Sequence, residues 1–75
     1  MTKKELKTIA YAIGISEAHK KQRIVAAAQC PEMMEFIKKN ANSYIGESIP
    51  LLKAFNAGVA AEIHQQTILE LGEKV

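Results

Sequence analysis

The chain has 75 residues, of which 48% are hydrophobic and 24% are charged, and its formal net charge at pH 7 is +2. This length allows at most one domain with a small core, because a chain near this size buries only ~60% of the surface that its unfolded form exposes, and the apolar content excludes intrinsic disorder. The single cysteine, Cys30, excludes an intrachain disulfide and predicts a reducing, cytoplasmic location. Because the chain has no long apolar run, we expect no signal peptide and no contact with a membrane.

Two short helices are predicted in the first part of the chain. Thr2 and Glu5 have the spacing of a capping box, and Gly14 stands where a helix can stop, so the first helix is predicted over 3–13. Its apolar stripe consists of Leu6, Ile9, Ala10 and Ile13. Ser16 is the next N-cap candidate and Pro31 ends the following helical pattern, which places the second helix at 17–29.

Two further helices are predicted in the second part. Pro31 suits the first position of a helix over 32–45 that Gly46 ends, and Ser48 is the N-cap candidate of a long helix over 49–71. The stripe of the third helix consists of Met34, Ile37, Ala41, Tyr44 and Ile45. In the fourth, Ala54 and Gly58 are four residues apart and would let another helix approach closely.

The long C-terminal helix has two apolar stripes that cannot face the same neighbour. The first follows a period of 3.6 residues and consists of Leu52, Phe55, Val59 and Ile63. The second follows the 3.5-residue period of a coiled-coil seam and consists of Ala57, Ala61, His64, Ile68, Leu71 and Val75. We predict that the first stripe closes the domain's own core and that the second meets a second copy of the chain or another protein.

The predicted fold is therefore all-α, a single compact four-helix domain over 1–75 with a basic part at 2–28 and a helical pair at 31–75. No segment has the alternating pattern of a β-strand. The expected core consists of Leu6, Ile9, Ile13, Ile24, Met34, Ile37, Leu52, Phe55 and Val59.

Charge is distributed unevenly along the chain. Up to Gln29 there are six cations and two anions, a balance of +4, whereas from Cys30 onward four cations and six anions give −2. A basic segment of this kind predicts contact with a polyanion, and the alternative is a solvated lysine face.

Two templates compete for the basic segment. A helix-turn-helix agrees with Ala10, Gly14 and Ile15, but it would bury Lys20 and Arg23 without partners, which is costly. The second template is a pattern of a Glu-Leu pair, two apolar positions, a glycine with an apolar residue, a link, and a lysine followed by apolar residues. It is matched by Glu5-Leu6, Ile9-Ala10, Gly14-Ile15, Lys21, Ile24-Val25 and Ala28. In this pattern the segment resembles the helix–extension–helix fold of SAP domains and of the N-terminal domain of Rho-type factors.

The resemblance covers a little more than a third of the chain, and His19 stands where that family usually has a glycine. It implies that the second helix and the preceding link bind nucleic acid, which points to Lys20, Lys21 and Arg23. From the residues themselves we add Lys4, Lys7 and Tyr11, which share one face of the first helix. The alternative is that Tyr11 covers the edge of the core and that the lysines are only solvated.

No residue pattern predicts catalysis, a cofactor or a metal. Cys30 has no histidine near it in sequence, and we interpret it as structural. The expected function is a small non-enzymatic regulatory module that binds nucleic acid and dimerises through its last helix. The alternative is a protein-interaction module, such as a small inhibitor or adaptor of a phage or other mobile element, that uses the second stripe of that helix.

Overall fold

The computed structural model describes the backbone of residues 2–40 and 45–73, and the side chains of residues 2–40 and 48–72. The elements are α1 (Lys3–Lys21), a short 3₁₀ helix (Ala27–Gln29), α2 (Pro31–Asn40) and α3 (Ile45–Glu73). The described part of the chain contains no β-strand, so the all-α class is confirmed. The expected number of four α-helices is wrong, because residues 2–40 and 45–73 form three.

Helix α1 begins as predicted but does not stop at Gly14. The capping box is formed: the Glu5 amide donates to Thr2 Oγ1 at 3.2 Å, and the Thr2 amide donates to Glu5 Oε1 at 3.4 Å. The helix then continues through Gly14 and Ser16 to Lys21, so the predicted boundary at 13 is wrong and Ser16 is not an N-cap.

Gly14 is needed for the packing of α1 against α3. A Cβ atom built on Gly14 would collide with the backbone carbonyl of Phe55, and one built on Gly58 would collide with the carbonyl of Tyr11. The two glycines therefore let the two backbones touch, which outweighs the ~1 kcal/mol that each glycine costs in a helix relative to alanine. A close approach of another helix was predicted from Ala54 and Gly58. The structure shows it at Gly58, and the approaching helix is α1.

Helix α1 ends at a left-handed residue followed by a non-helical link. Gln22 has φ 54° and ψ 37°, and its amide donates to the Ala18 carbonyl at 2.7 Å. Residues 24–26 form neither a helix nor a strand, and Ala26 has extended backbone angles, φ −78° and ψ 149°. The second helix predicted over 17–29 is therefore wrong: its first turn belongs to α1, and its remainder is a link that leads to α2 at Pro31.

The centre of the core is as expected, but at two places the buried residue is the sequence neighbour of the predicted one. Ile13, Phe55 and Val59 are buried, and Leu6, Ile9, Ile37 and Leu52 pack against them half-buried. Ile24 is 73% exposed and the core takes Val25 instead, because these residues do not form the helix whose period placed Ile24 inward. Met34 is 46% exposed, and Met33 is fully buried beside Cys30 at the start of α2.

Helix α3 starts earlier than predicted. Its first residue is Ile45, so Gly46 lies inside it and Ser48 is not its N-cap. The third helix, predicted over 32–45, is confirmed as far as Asn40 and begins one residue earlier, at Pro31. Residues 41–44 lie outside the described residues, and the assignment of Ile45 to this helix is wrong, because Ile45 begins α3.

Helices α1 and α3 run side by side in the same direction. Lys7 lies beside Pro50 and Lys53, the Tyr11 carbonyl touches Gly58, and His19 reaches Glu62. Since α3 has 29 residues and α1 has 19, α3 extends beyond α1 at its C-terminal end. The molecule is accordingly elongated, at 49 × 22 × 16 Å. Among the described residues, no helix is long and apolar enough to cross a membrane.

Candidate interaction surfaces

The six residues expected to bind nucleic acid fall into two groups at opposite ends of α1. Lys4, Lys7 and Tyr11 lie on one exposed face near its start. Lys20 lies 16 residues further along than Lys4, ~24 Å along the helix axis and ~160° around it. The structure therefore brings Lys4, Lys7 and Tyr11 together but does not join them to Lys20, Lys21 and Arg23 in one continuous basic face.

The second group is partly engaged within the chain. Lys20 Nζ lies 3.9 Å from Glu17 Oε2, and Arg23 Nη1 donates to the Ile24 carbonyl at 3.4 Å. Lys20 and Lys21 also belong to the last turn of α1, where positive charge offsets the partial negative charge of the helix end. Their position has a structural reason that does not require a nucleic acid.

A groove that the sequence did not predict lies between the starts of α1 and α3. It has a volume of about 450 Å³ and is lined by Lys7, Ile49, Pro50, Lys53 and Ala54; we call it the lysine groove. Neither lysine has an ion-pair partner among the described residues. Sequence reasoning missed the groove because Lys7 is more than forty residues from Lys53, and only the parallel packing of α1 and α3 brings them together.

The predicted partner stripe of α3 points away from α1, as far as the structure describes it. Ala57 and His64 are exposed and Ala61 is half-buried, whereas Ile68 is 48% and Leu71 59% exposed. Val75 lies outside the described residues. These side chains lie on the outer face of α3, on the opposite side from the buried Phe55 and Val59.

The last contact between α1 and α3 marks where α3 loses its support. His19 Nδ1 lies 2.9 Å from Glu62 Oε1, and Gln66 Nε2 donates to the same oxygen at 3.5 Å. From His64 to Gly72 every residue except Gln66 is exposed. We call residues 64–73 the projecting end.

Leu69 belongs to this projecting end and was not predicted as an interface residue. It is 58% exposed and lies on the side of α3 that carries the core stripe further back. The sequence contained this signal. Leu69 follows Glu62 by seven residues and therefore lies on the same face of α3, the face that meets α1. It is exposed because α1 ends before reaching it.

Cys30 is fully buried where the link meets α2, in contact with the core. Burial raises the pKa of its thiol, the Met33 amide lowers it, and the carboxylates of Glu17 and Glu32 raise it further, with Glu17 also accepting a hydrogen bond from the thiol. A neutral, buried thiol is a poor nucleophile and a poor metal ligand. This environment agrees with a structural cysteine.

Among the described residues, no group of three or more His, Cys, Asp and Glu side chains is arranged to hold a metal ion. The pairing of His19 with Glu62 links α1 to α3. Comparisons of the chain with protein-family models, with curated proteins and with solved structures gave no match.

Proposed function

We propose that this protein is a small non-enzymatic protein-interaction module whose binding surface is the projecting end of α3. The observation that carries the proposal is the exposure of Ile68, Leu69 and Leu71, at 48%, 58% and 59%, on a helix segment that α1 does not reach. Ile68 and Leu71 lie on the outer face of α3 and Leu69 on the side that carries the core stripe further back, so large apolar side chains are exposed around much of this helical turn. Such exposure is characteristic of a segment that another protein covers.

The energetics of the projecting end support the same function. A helix segment without tertiary packing gains little from intrinsic propensity alone, and short isolated helices are marginal in water. The end also leaves three branched apolar side chains in water, as they are in the unfolded chain, so they add no free energy of burial to folding. A partner that packs on this segment would stabilise the helix and bury those side chains together.

The test is site-specific photo-crosslinking in the source cells. A photoreactive residue at position 69 should give discrete crosslinked protein bands, and the same residue at position 24 should not. Ile24 is the matched control, because it is an apolar side chain with 73% exposure that lies outside the projecting end. Equal crosslinking at the two positions would contradict the proposal.

Nucleic-acid binding is the second candidate, and it is supported by the exposed Lys4, Lys7 and Tyr11 on one face of α1. Each phosphate neutralised on a duplex should lower log K by ~0.9 per tenfold rise in salt. A chain with Lys4→Glu and Lys7→Glu should then lose binding in a mobility-shift assay. A wild-type chain that shifts neither single- nor double-stranded probes at low salt would eliminate this candidate.

The two groups of cations can be separated in the same assay. The resemblance of residues 2–28 to helix–extension–helix domains remains a prediction, and it assigns the binding to Lys20, Lys21 and Arg23. If changing these three residues to Glu abolishes the shift while the Lys4 and Lys7 changes do not, the resemblance is the better guide. We also propose a cytoplasmic location and a role as an inhibitor or adaptor.

A further inference from the structure

We infer that the lysine groove is a binding site for single-stranded nucleic acid, in which Lys7 of α1 and Lys53 of α3 bind the phosphates of one strand from the two sides of the groove. The inference rests on the second candidate of the proposed function, nucleic-acid binding. It adds to that candidate a contact residue from α3 and the single-stranded form of the ligand. The observations behind it are the two lysines, the apolar lining of the groove and the charge of the surrounding helices.

The two lysines of the groove are accessible to an anion. Lys7 and Lys53 are both exposed, and neither has an ion-pair partner among the described residues. They belong to different helices, so a ligand that contacts both must lie across the groove. Two like charges that line one groove repel each other, and an anion bound between them offsets this repulsion. The groove therefore favours a negatively charged ligand.

The helices around the groove carry an excess of positive charge. Residues 2–16 and 48–61 hold most of α1 and the part of α3 beside it, and they contain four lysines and one carboxylate, so four minus one gives +3. That carboxylate, Glu5, accepts hydrogen bonds from the amide and the hydroxyl of Thr2. Lys4 lies one turn before Lys7 on the same exposed face of α1. A ligand with repeated negative charges can therefore contact Lys4, Lys7 and Lys53 together.

The opposite end of the chain disfavours the same ligand. Residues 62–75 contain three carboxylates and one lysine, so one minus three gives −2. A polyanion is repelled by this charge and attracted to the groove. Lys53 and Leu71 are 18 residues apart on one continuous helix, which separates the groove from the projecting end by ~27 Å. A nucleic acid in the groove and a protein on the projecting end can therefore be bound at the same time.

The apolar lining of the groove indicates a single strand. Ile49, Pro50 and Ala54 line the groove together with the lysines, and Ile49 is 45% exposed. A duplex presents phosphates and sugars along its outside and keeps the faces of its bases stacked, so it would leave these side chains without a partner. A single strand presents unstacked bases together with its phosphates. The combination of cations and apolar side chains in one groove fits the single strand.

Tyr11 provides an aromatic surface beside the groove. It is 39% exposed, and its backbone carbonyl lies against α3 at Gly58, one turn beyond Ala54. Tyr11 is also one turn after Lys7 on α1, a spacing that places the Cβ atoms of the two residues ~6 Å apart. Proteins that bind single strands commonly combine a positive groove with an aromatic side chain on which a base stacks, and such stacking tolerates any base. We therefore expect Tyr11 to stack on a base of the bound strand, with little sequence preference.

The experiment measures how salt changes the binding of fluorescently labelled oligothymidylate, followed by fluorescence anisotropy. Each phosphate contact on a single strand contributes ~0.7 to the slope of log K against log salt, so three contacts predict a slope of about −2. Lys53→Gln should remove ~0.7 of this slope. Lys38→Gln makes the same change in net charge on α2, outside the groove, and should leave the slope unchanged. Tyr11→Ala should lower the affinity roughly tenfold, whereas Tyr11→Phe should keep it, because the ring that stacks is retained.

The possible failures can be told apart. If Lys53→Gln keeps the wild-type slope while Lys4→Glu with Lys7→Glu abolishes binding, the inference is overturned and the nucleic-acid candidate stands. Tighter binding to a duplex of the same length than to the single strand would also overturn the inference. A wild type that binds neither probe at low salt would eliminate the inference and the nucleic-acid candidate together. The projecting end is tested separately by crosslinking at position 69, and circular dichroism confirms that each variant is folded.

Discussion

The clearest residue-scale feature is the environment of Cys30, since it opposes formation of a thiolate in the folded protein. Burial and the neighbouring Glu17 carboxylate raise the thiol pKa above its ordinary value of 9.0. The unfolded chain loses this proton at lower pH than the folded chain does. The stabilisation is therefore fully present below the unfolded pKa and is lost as the pH rises through the folded pKa.

This linkage predicts that Cys30 contributes to alkaline unfolding. The melting temperature of the wild type should fall more steeply above pH 9 than that of a Cys30→Ala chain. The free energies of unfolding of the two chains should diverge by up to ~1.4 kcal/mol per pH unit. The two chains differ only at position 30, so the comparison isolates the thiol. Parallel profiles for the two chains would show that the thiol titrates alike in the folded and unfolded states.

Two adjacent methionines test the register of α2. Met33 is fully buried and Met34 is 46% exposed. A Met33→Ala change should destabilise the protein by ~2–5 kcal/mol, as expected for a large side chain removed from a core. Met34→Ala removes the same atoms from the surface and should cost less than ~1 kcal/mol. Urea unfolding of both variants gives the comparison, and equal losses would contradict the observed register.

At the scale of elements, the packing of α1 on α3 depends on backbone contact at two glycines. A Gly58→Ala change should destabilise the protein by ~1–3 kcal/mol, because its Cβ would meet the Tyr11 carbonyl and the helices would have to separate. Gly72 is the control: a Cβ there meets nothing within 4 Å, so Gly72→Ala should gain up to ~1 kcal/mol of helix propensity. Thermal unfolding of both variants measures the difference, and a stabilising Gly58→Ala change would argue against the close contact.

The same contact explains which helix boundaries the sequence could not predict. A glycine after an apolar stripe is a common helix stop, so Gly14 was interpreted as one from local signals. Its actual role depends on Phe55, 41 positions away, which no local pattern contains. The capping box at Thr2 and the start at Pro31 were predictable because their partners lie within a few residues.

Core register was predictable where a helix was long and less so where it was short or absent. Phe55 and Val59 were correctly placed because α3 keeps one period over many turns. Ile24 was misplaced because the prediction applied a helical period to a segment that is not helical. For the candidate surfaces, exposure of Ile68 and Leu71 followed from periodicity, whereas the lysine groove required the tertiary arrangement of α1 and α3.

At the scale of the whole molecule, the described residues divide into a packed part and a projecting part. The radius of gyration is 13.5 Å, compared with ~11 Å for a compact chain of this length. The excess comes from α3, which extends past the His19–Glu62 contact at the end of α1. The packed part contains the buried core, and the projecting end contains exposed apolar side chains without packing partners among the described residues.

This division predicts that the projecting end can be removed without unfolding the rest. A chain that ends at Gln66 keeps the Glu62 contacts and all buried side chains, so its free energy of unfolding should fall by less than ~1 kcal/mol, a shift of up to ~4–8 °C in melting temperature. Both chains are measured at concentrations where the wild type is monomeric, because dissociation of a dimer would itself lower the apparent stability. The full-length chain with Ile68→Asp and Leu71→Asp is the matched control, since it keeps the helix but not the apolar surface. If the shortened chain unfolds while this control remains folded, the projecting end stabilises the packed part and the prediction is wrong.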